Sequence, residues 1–332
     1  MQEEYVLNLQ CAGAAITNMG DRFVMEGYKP DIAIPATIDE KLEFFSRIGG
    51  MRAIGYGFFG HADVDPIWYK DKVAEYGFRV GSCGVDNYTK AHWKYGTFAA
   101  RDPKIRKDII TQSKEMMDWA AAAGAVDIMF WMAHDGYNYP FQDHYETHWK
   151  YMEECITEIA SYRSDVKVTL EYKNYEPLTH QYAADLGKVL LLIEKIGLKN
   201  LGIIVDYGHA LFGNENPAES VAIANMYHRL SMIHLNDNFG RFDDDLIFGT
   251  VSFWQALEFF YKLNEIGYDG WYIMDNWPAR MDGGEALKEF IQLVNCINRL
   301  ARSLPRDEIR ELQKQDANPP RIYKLLREYV LR

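Results

Sequence analysis

Val168-Thr169-Leu170-Glu171-Tyr172-Lys173 runs an apolar stretch of strand length straight into an acidic residue. The design recurs three times downstream, in Ile203-Ile204-Val205-Asp206, Met232-Ile233-His234-Leu235-Asn236-Asp237 and Tyr272-Ile273-Met274-Asp275-Asn276. Each run delivers one acid or imidazole at the C-terminal end of a strand. Glu171, Asp206, His234 and Asp275 are spaced 35, 28 and 41 residues apart. An (αβ)8 barrel of about 250 residues spends roughly 31 per unit, so the spacing corresponds to one such residue per unit. All four side chains are then expected at one mouth of one barrel.

The rest of the chain fits that frame. Apolar strand-like runs alternate with amphipathic segments of helical period, the pattern of βα units around a parallel sheet. Strands are expected near 5–9, 52–57, 79–84, 126–131, 166–171, 201–206, 230–235 and 270–275. Helices are expected near 38–48, 66–76, 104–123, 144–162, 179–197, 217–226, 251–266 and 283–302. Thr37-Ile38-Asp39-Glu40 has capping-box spacing. Pro66 suits a first helical turn, and Gly197 and Gly267 stand just past helix ends. The expected fold is α/β, a single (β/α)8 TIM barrel over residues 1–302. After the break at Ser303-Leu304-Pro305, residues 303–332 form a short C-terminal helical extension. Its one helical run, near 320–331, packs on the barrel or on a partner subunit.

Composition narrows the function. The 332 residues are 48% hydrophobic and 25% charged, an ordinary globular balance. A net charge of −12 argues against a nucleic-acid surface, which needs clustered Lys and Arg. It suits a small neutral substrate and a cation held by carboxylates. Cys11, Cys83, Cys155 and Cys296 form no CxxC pair and read as buried thiols in a reducing compartment. No signal-peptide pattern opens the chain and no stretch approaches the length of a membrane span. A cytoplasmic protein is expected.

Glu, Asp, His and Asp make a hard, oxygen-rich set with one nitrogen, suited to Mn²⁺ first, and to Mg²⁺ or Co²⁺, better than to structural zinc. His209 follows Asp206 by three residues, and Asp243-Asp244-Asp245 follows His234. Alternate residues of an extended loop face one way, so His209, Asp243 and Asp245 can build a second metal position; the same run of acids also reads as a solvated loop. Lys173 projects to the side of Glu171 and can hold or protonate a substrate oxygen. Trp131, Trp277 and Phe59, with Trp68, Phe58 and Tyr137, lie close to strand ends, where aromatic faces can stack on a sugar ring. His61, followed by Asp63 and Asp65, falls at the same face as a candidate acid/base. The loop 131–144 supplies His134 and His144 as further candidates, without a signal to choose between them. Neither G-x-G-x-x-G nor a Walker loop stands at a strand–helix junction, so no redox or nucleotide cofactor is expected.

At these residues the chain resembles the xylose isomerase-like barrel superfamily, and within it the L-rhamnose and D-xylose isomerases most. Glu171-Tyr172-Lys173-Asn174-Tyr175-Glu176-Pro177 is similar to their E-x-K…E-P stretch, where Glu binds metal and Lys contacts substrate. Asp206-x-x-His209 resembles their D/E-x-x-H, shared by two metals. His234 with Asp243-Asp244-Asp245-Leu246 resembles the H-x-N-D…D-D-D-L run of L-rhamnose isomerases, and Asp275 matches the closing aspartate. Trp131 with Asp135-Gly136-Tyr137-x-Tyr139-Pro140 is similar to their loop after strand 4. Xylose isomerases carry Asp three residues after the ring-opening His; here Val64 stands there, flanked by Asp63 and Asp65. The likeness spans roughly residues 50–280.

The resemblance implies a metal-dependent aldose–ketose isomerase acting on a small carbohydrate, with Lys173, Glu171, His61 and His144 catalytic. Trp131, His209, Trp277 and Phe59 would contact substrate, and the chain would form a homo-oligomer. The competing reading is a one-metal enzyme that removes a proton next to a carbonyl. That class holds ketose 3-epimerases and C-glycoside deglycosidase catalytic subunits, the latter with a small partner subunit. A non-catalytic sugar-binding barrel and a DNA-repair nuclease fit the motifs less well.

Overall fold

The computed structural model describes residues 37–56, 64–278 and 280–331. Seven parallel strands lie side by side: β1 (Ala53–Tyr56), β2 (Arg79–Gly84), β3 (Asp127–Trp131), β5 (Lys167–Glu171), β7 (Leu201–Asp206), β8 (Leu230–Leu235) and β9 (Trp271–Met274). Their order follows the sequence, and a helical segment follows each strand, the winding of a (β/α)8 barrel. The expected strand near 5–9 lies outside the described residues. Two short strands, β4 (Gly136–Tyr137) and β6 (His180–Gln181), form a separate antiparallel ribbon.

Strand register decides what reaches the mouth. Trp131 pairs across from Glu171, and Asp206 from His234. Asp275 then donates its N–H to Leu235 O at 2.9 Å. Side chains alternate along a strand, so Met129, Ile204, Met232 and Ile273 share the parity of Trp131, Asp206, His234 and Asp275. Those four apolar residues pack together with Trp271 as a small cluster of their own. The opposite parity, including Ile128, Phe130, Val168, Leu170, Ile203, Val205 and Ile233, joins the main core under the helices. The barrel interior thus carries an apolar cluster beneath the charged mouth, with Asp127 and Ser82 buried below it.

Local signals hold where they were read. Thr37 Oγ1 accepts from Glu40 N at 3.2 Å while Glu40 Oε2 accepts from Thr37 N at 3.0 Å, opening α1 (Ile38–Ile48). Pro66 starts α2 (Pro66–Glu75), capped by Asp65, whose Oδ1 accepts from Trp68 N at 2.8 Å. Helices α3 (Pro103–Ala123), α4 (Tyr145–Tyr162), α7 (Pro217–Met226) and α9 (Gly283–Ser303) fall close to expectation. Gly197 and Gly267 take left-handed φ of 74° and 68° beyond α5 (Leu186–Ile196) and α8 (Phe253–Ile266).

Three boundaries differ. The helix expected from 179 starts only at Leu186, because the backbone before it is committed elsewhere: Lys173 N donates to Ala183 O, Tyr182 N to Asp135 O, and β6 pairs with β4. Gly136 allows that pairing, since a Cβ there would sit 2.1 Å from His180 O. A short helix not read from sequence, α6 (Tyr207–Phe212), begins directly at the end of β7, with Asp206 Oδ1 accepting from His209 N at 2.7 Å. The tail holds two helices, α10 (Arg306–Gln313) and α11 (Pro319–Val330), where sequence suggested one. The first is short and mostly polar, with Ile309 its one buried residue, so little apolar content marked it. Buried Ile309, the Arg310 Nε–Glu265 Oε1 contact at 3.0 Å and the Tyr323 ring set edge-on to Trp254 tie this tail to α8.

Cys83, Cys155 and Cys296 are free thiols. Among the described residues no helix is long and apolar enough to cross a membrane. Buried Asn200 joins the barrel's underside: its Nδ2 donates to Ala160 O, Arg163 O and Val166 O at 2.9, 2.8 and 3.2 Å. Asn200→Ala strands those carbonyls and is expected to remove about 1–3 kcal/mol of stability. Urea unfolding checks this, and a midpoint equal to wild type would contradict it.

Candidate metal centre at the barrel mouth

Glu171, Asp206, His234 and Asp275 each offer one ligand atom, and all four atoms lie within 4.8 Å of one another. Strand ends β5, β7 and β8 supply the first three, all buried. Asp275 follows β9, and its side chain, 47% exposed, opens toward solvent. His234 Nδ1 faces the acids: 3.1 Å from Glu171 Oε1, 3.4 Å from Asp275 Oδ2 and 3.9 Å from Asp206 Oδ2. Three carboxylates around one imidazole nitrogen make a cage that a divalent cation would fit.

A second lobe adjoins it through His209. One ring nitrogen, Nδ1, lies 3.0 Å from Tyr172 O and 3.2 Å from Glu171 Oε1. The other, Nε2, lies 3.1 Å from Asp243 Oδ2. The same Asp243 oxygen accepts from Lys173 Nζ at 2.8 Å. Lys173 also meets Glu176 Oε2 at 3.2 Å and lies 4.9 Å from the centre of the Trp131 ring. Asp243 Oδ1 is buried without a hydrogen-bond partner. Asp245 holds a left-handed φ of 48°, and its carbonyl accepts from Trp277 N at 3.0 Å. His209 and Asp243 thus sit side by side, Asp245 lies within the reach of both their charges, and the unsatisfied Asp243 oxygen suits a cation.

The charges are lopsided. Six carboxylates (Glu171, Glu176, Asp206, Asp243, Asp245 and Asp275) meet Lys173 and two imidazoles. Burial, then the charges of Asp243, Asp275 and Asp206, push the Asp245 carboxyl up to about 9. Burial also lifts Asp206, to about 6, against the pull of His209. For His209 burial opposes the charged ring, but Asp206 and Asp243 outweigh it and hold the imidazolium up to about 10. Burial likewise opposes charge on Lys173 and is outweighed by Asp243. In the same way His209 and Lys173 overcome burial at Asp243 and hold its carboxyl well below the usual range. Retained protons thereby do the neutralising that cations would do.

The remaining sequence candidates divide. Trp131 is at the site, its ring beside Lys173 and edge-on to Tyr88 at 4.8 Å. Trp277 stands at the rim, largely exposed. His134 turns away, its Nε2 3.1 Å from Tyr88 O. His144 is not brought to the cluster: it precedes α4, meets Thr147 Oγ1 at 2.9 Å and lines a different cavity of about 530 Å³ with Arg101, Phe141 and His148. Trp68 lies on the exposed side of α2, and Asp65 is spent as that helix's cap. Phe58, Phe59, His61 and Asp63 lie outside the described residues.

Two residues that sequence reasoning missed belong to the centre. Tyr88 lies in its field: burial, then Glu171 and Asp275, raise its hydroxyl pKa. Asn236 donates Nδ2 to both oxygens of Asp206, at 3.1 and 2.9 Å. Neither is a metal-ligand type, so only the H-x-N-D context hinted at Asn236.

A family model described as a xylose isomerase-like TIM barrel matches residues 50–296, and the chain belongs to that family. Xylose isomerase from Thermus thermophilus is 27% identical over 228 residues, a match that covers 67% of this chain and 59% of that protein. The chain therefore spans less than two thirds of that curated relative's length. Among solved structures, L-ribulose 3-epimerase superposes with a TM-score of 0.68 at 15% identity, covering 86% of this chain and 96% of that one. A 3-keto-D-glucoside 4-epimerase from E. coli gives 0.59 at 16% identity, covering 80% and 95%. At such identities these two superpositions speak for the fold.

The charge imbalance sets the pH dependence of the metal-free protein. Folded, Asp245 keeps its proton to about 9 against an ordinary 3.8, and His209 to about 10 against 6.5. Between pH 6 and 9 the folded protein binds more protons than the unfolded chain, so its stability falls as pH rises. A bound divalent cation displaces those protons. The melting midpoint of chelator-treated protein is expected to drop across that window, with excess Mn²⁺ raising it most at pH 9. A midpoint flat in pH, with or without Mn²⁺, would contradict the charge balance described.

Proposed function

We propose that the chain is a divalent-metal-dependent sugar isomerase that interconverts an aldose and a ketose. One observation carries this reading: His209 links Glu171 of the four-ligand cage to Asp243, which holds Lys173, so a cation cage, a His–Asp pair and a Lys adjoin at one mouth. A cation bound there supplies a Lewis acid that polarises a sugar carbonyl and orients neighbouring oxygens. Glu171, Asp206, His234 and Asp275 would hold the first cation, and His209, Asp243 and Asp245 a second, with Mn²⁺ the best match to the donor set and Mg²⁺ or Co²⁺ as substitutes.

The chain's own groups have definable parts. Lys173, kept charged by Asp243, would donate to the sugar oxygen on which negative charge grows. Trp131 would offer its ring to the C–H face of the sugar, and it walls the same side as Lys173. Tyr88 closes that wall. Hydrogen would pass between C1 and C2 of the open-chain sugar, the carbonyl and hydroxyl exchanging places. Kinship with a protein named xylose isomerase supports this class of reaction. The substrate is a small carbohydrate, and the barrel over residues 1–302 carries the site. The tail over 303–332 would be available to a second copy in a homo-oligomer, working in the cytoplasm.

Two observations favour a second reading. Asp243 Oδ2 is already shared by Lys173 and His209, and the two superposed structures are named epimerases. A single cation with proton abstraction next to the carbonyl would suit that arrangement.

A panel of aldoses and ketoses run in D₂O separates the two. Direct C1–C2 transfer is expected to leave the product free of solvent deuterium by NMR. Deuterium at the carbon next to the carbonyl would instead establish proton abstraction, and no turnover of any sugar would overturn both. Under the isomerase reading, Lys173→Met is expected to lower kcat by about 10²–10³-fold. Steady-state kinetics would show it, and an unchanged kcat would remove Lys173 from the chemistry.

A further inference from the structure

Asp206 is the innermost of the cage's three acids, with no exposed surface, and two donor groups make three contacts with its carboxylate. His209 N gives to Oδ1 at 2.7 Å, and the Asn236 amide spans Oδ1 at 3.1 Å and Oδ2 at 2.9 Å. Asn236 is itself fully buried, and its Oδ1 has no hydrogen-bond partner. Leaving a buried amide oxygen unmatched is costly, so something else must hold the side chain in this orientation. Turned over, it would set its oxygen against a carboxylate in a dry pocket, which is worse.

Space for this arrangement comes from Gly208. A Cβ on that residue would lie 1.6 Å from Asn236 Oδ1, 2.7 Å from its Cγ and 3.0 Å from Asn238 Nδ2. Gly208 is absent from the left-handed glycines, so it is glycine here for room, not for backbone conformation. Asn238 Nδ2 donates to Gly208 O at 2.9 Å and holds the first turn of α6 against this contact.

Resting on the metal-centre reading above, we propose that Asn236 is the positioning residue of the centre, seated by the missing side chain at Gly208. Its Nδ2 group, straddling both oxygens of Asp206, fixes the plane of that carboxylate, so that the remaining lone pairs aim at the cation position. Asn236 touches neither cation nor sugar; it acts through Asp206. Partners of this kind set affinity because they orient the ligand before binding, and their loss typically costs 10–100-fold.

The test titrates MnCl₂ into metal-free full-length protein by calorimetry, with no sugar present, in wild type, Asn236→Ala, Gly208→Ala and the double variant. Asn236→Ala is expected to weaken Mn²⁺ binding by about 10–100-fold. Gly208→Ala deletes no donor, yet it pushes Asn236 off Asp206 and is expected to lose a similar factor. In the double variant the Gly208 substitution is expected to add less than about twofold, because the side chain it collides with is gone. That non-additivity separates positioning from general damage, and the midpoints of the metal-free proteins show which variants fold. If Asn236→Ala does not fold, Gly208→Ala must still show the loss. Single variants that bind Mn²⁺ like wild type, or losses that multiply in the double, would overturn the proposal while leaving the metal centre standing. A wild type that takes up no Mn²⁺ would overturn both.

Discussion

The stepped register of β3, β5, β7 and β8 is the constraint on which the rest depends. Parallel pairing sets Trp131 beside Glu171 and Asp206 beside His234, while Glu171 pairs with Ile204, so the ligands step up by two residues from β5 to β7 and still meet at one mouth. Two residues lower, Met129, Ile204 and Met232 fill the bore with apolar atoms. Burial of Glu171, Asp206 and His234 deprives their charges of solvent, so they must neutralise one another or take up a cation. A slip of one residue in any of these strands would turn its ligand into the helix layer.

The acidic loop after β8 is built to serve those charges. Its anchor is Asp237, whose carboxylate accepts from Asn238 N, Val251 N, Ser252 N and Ser252 Oγ, all between 2.7 and 3.1 Å. A backbone bridge between Asp237 and Leu246 then closes the loop at its base. Asp243 is thereby delivered to Lys173 and His209, although three consecutive acids would be solvated in a free chain. Beneath Lys173, the Tyr172 hydroxyl donates to Glu215 Oε2 at 2.9 Å and Glu215 also accepts from Leu186 N, which ties the ligand strand to α5. Rigid support of this kind is what lets a site hold several like charges within a few ångströms.

Much of this was legible in the chain. Glu171, Asp206, His234 and Asp275 stood out because strand period and unit spacing are one-dimensional regularities. The capping box at Thr37 and the helix-ending glycines Gly197 and Gly267 were legible for the same reason, each being a signal local to a few residues. Helix α6 escaped because it starts on the ligand residue itself, and α10 because it is short and polar, with Ile309 its one buried residue. The helix expected from 179 began late because residues far away, Asp135 and Gly136, claim that backbone.

Sequence alone thus determined that these residues belong to the ends of successive barrel strands, since alternation and repeat length are written along the chain. Only the tertiary structure decided what each side chain meets. Asp243 closes on Lys173 and His209, Asn236 settles on Asp206 in the gap left by Gly208, and His144 stands at a different cavity. These contacts are set by loop paths and by the space neighbours leave, and both arise only when distant segments pack.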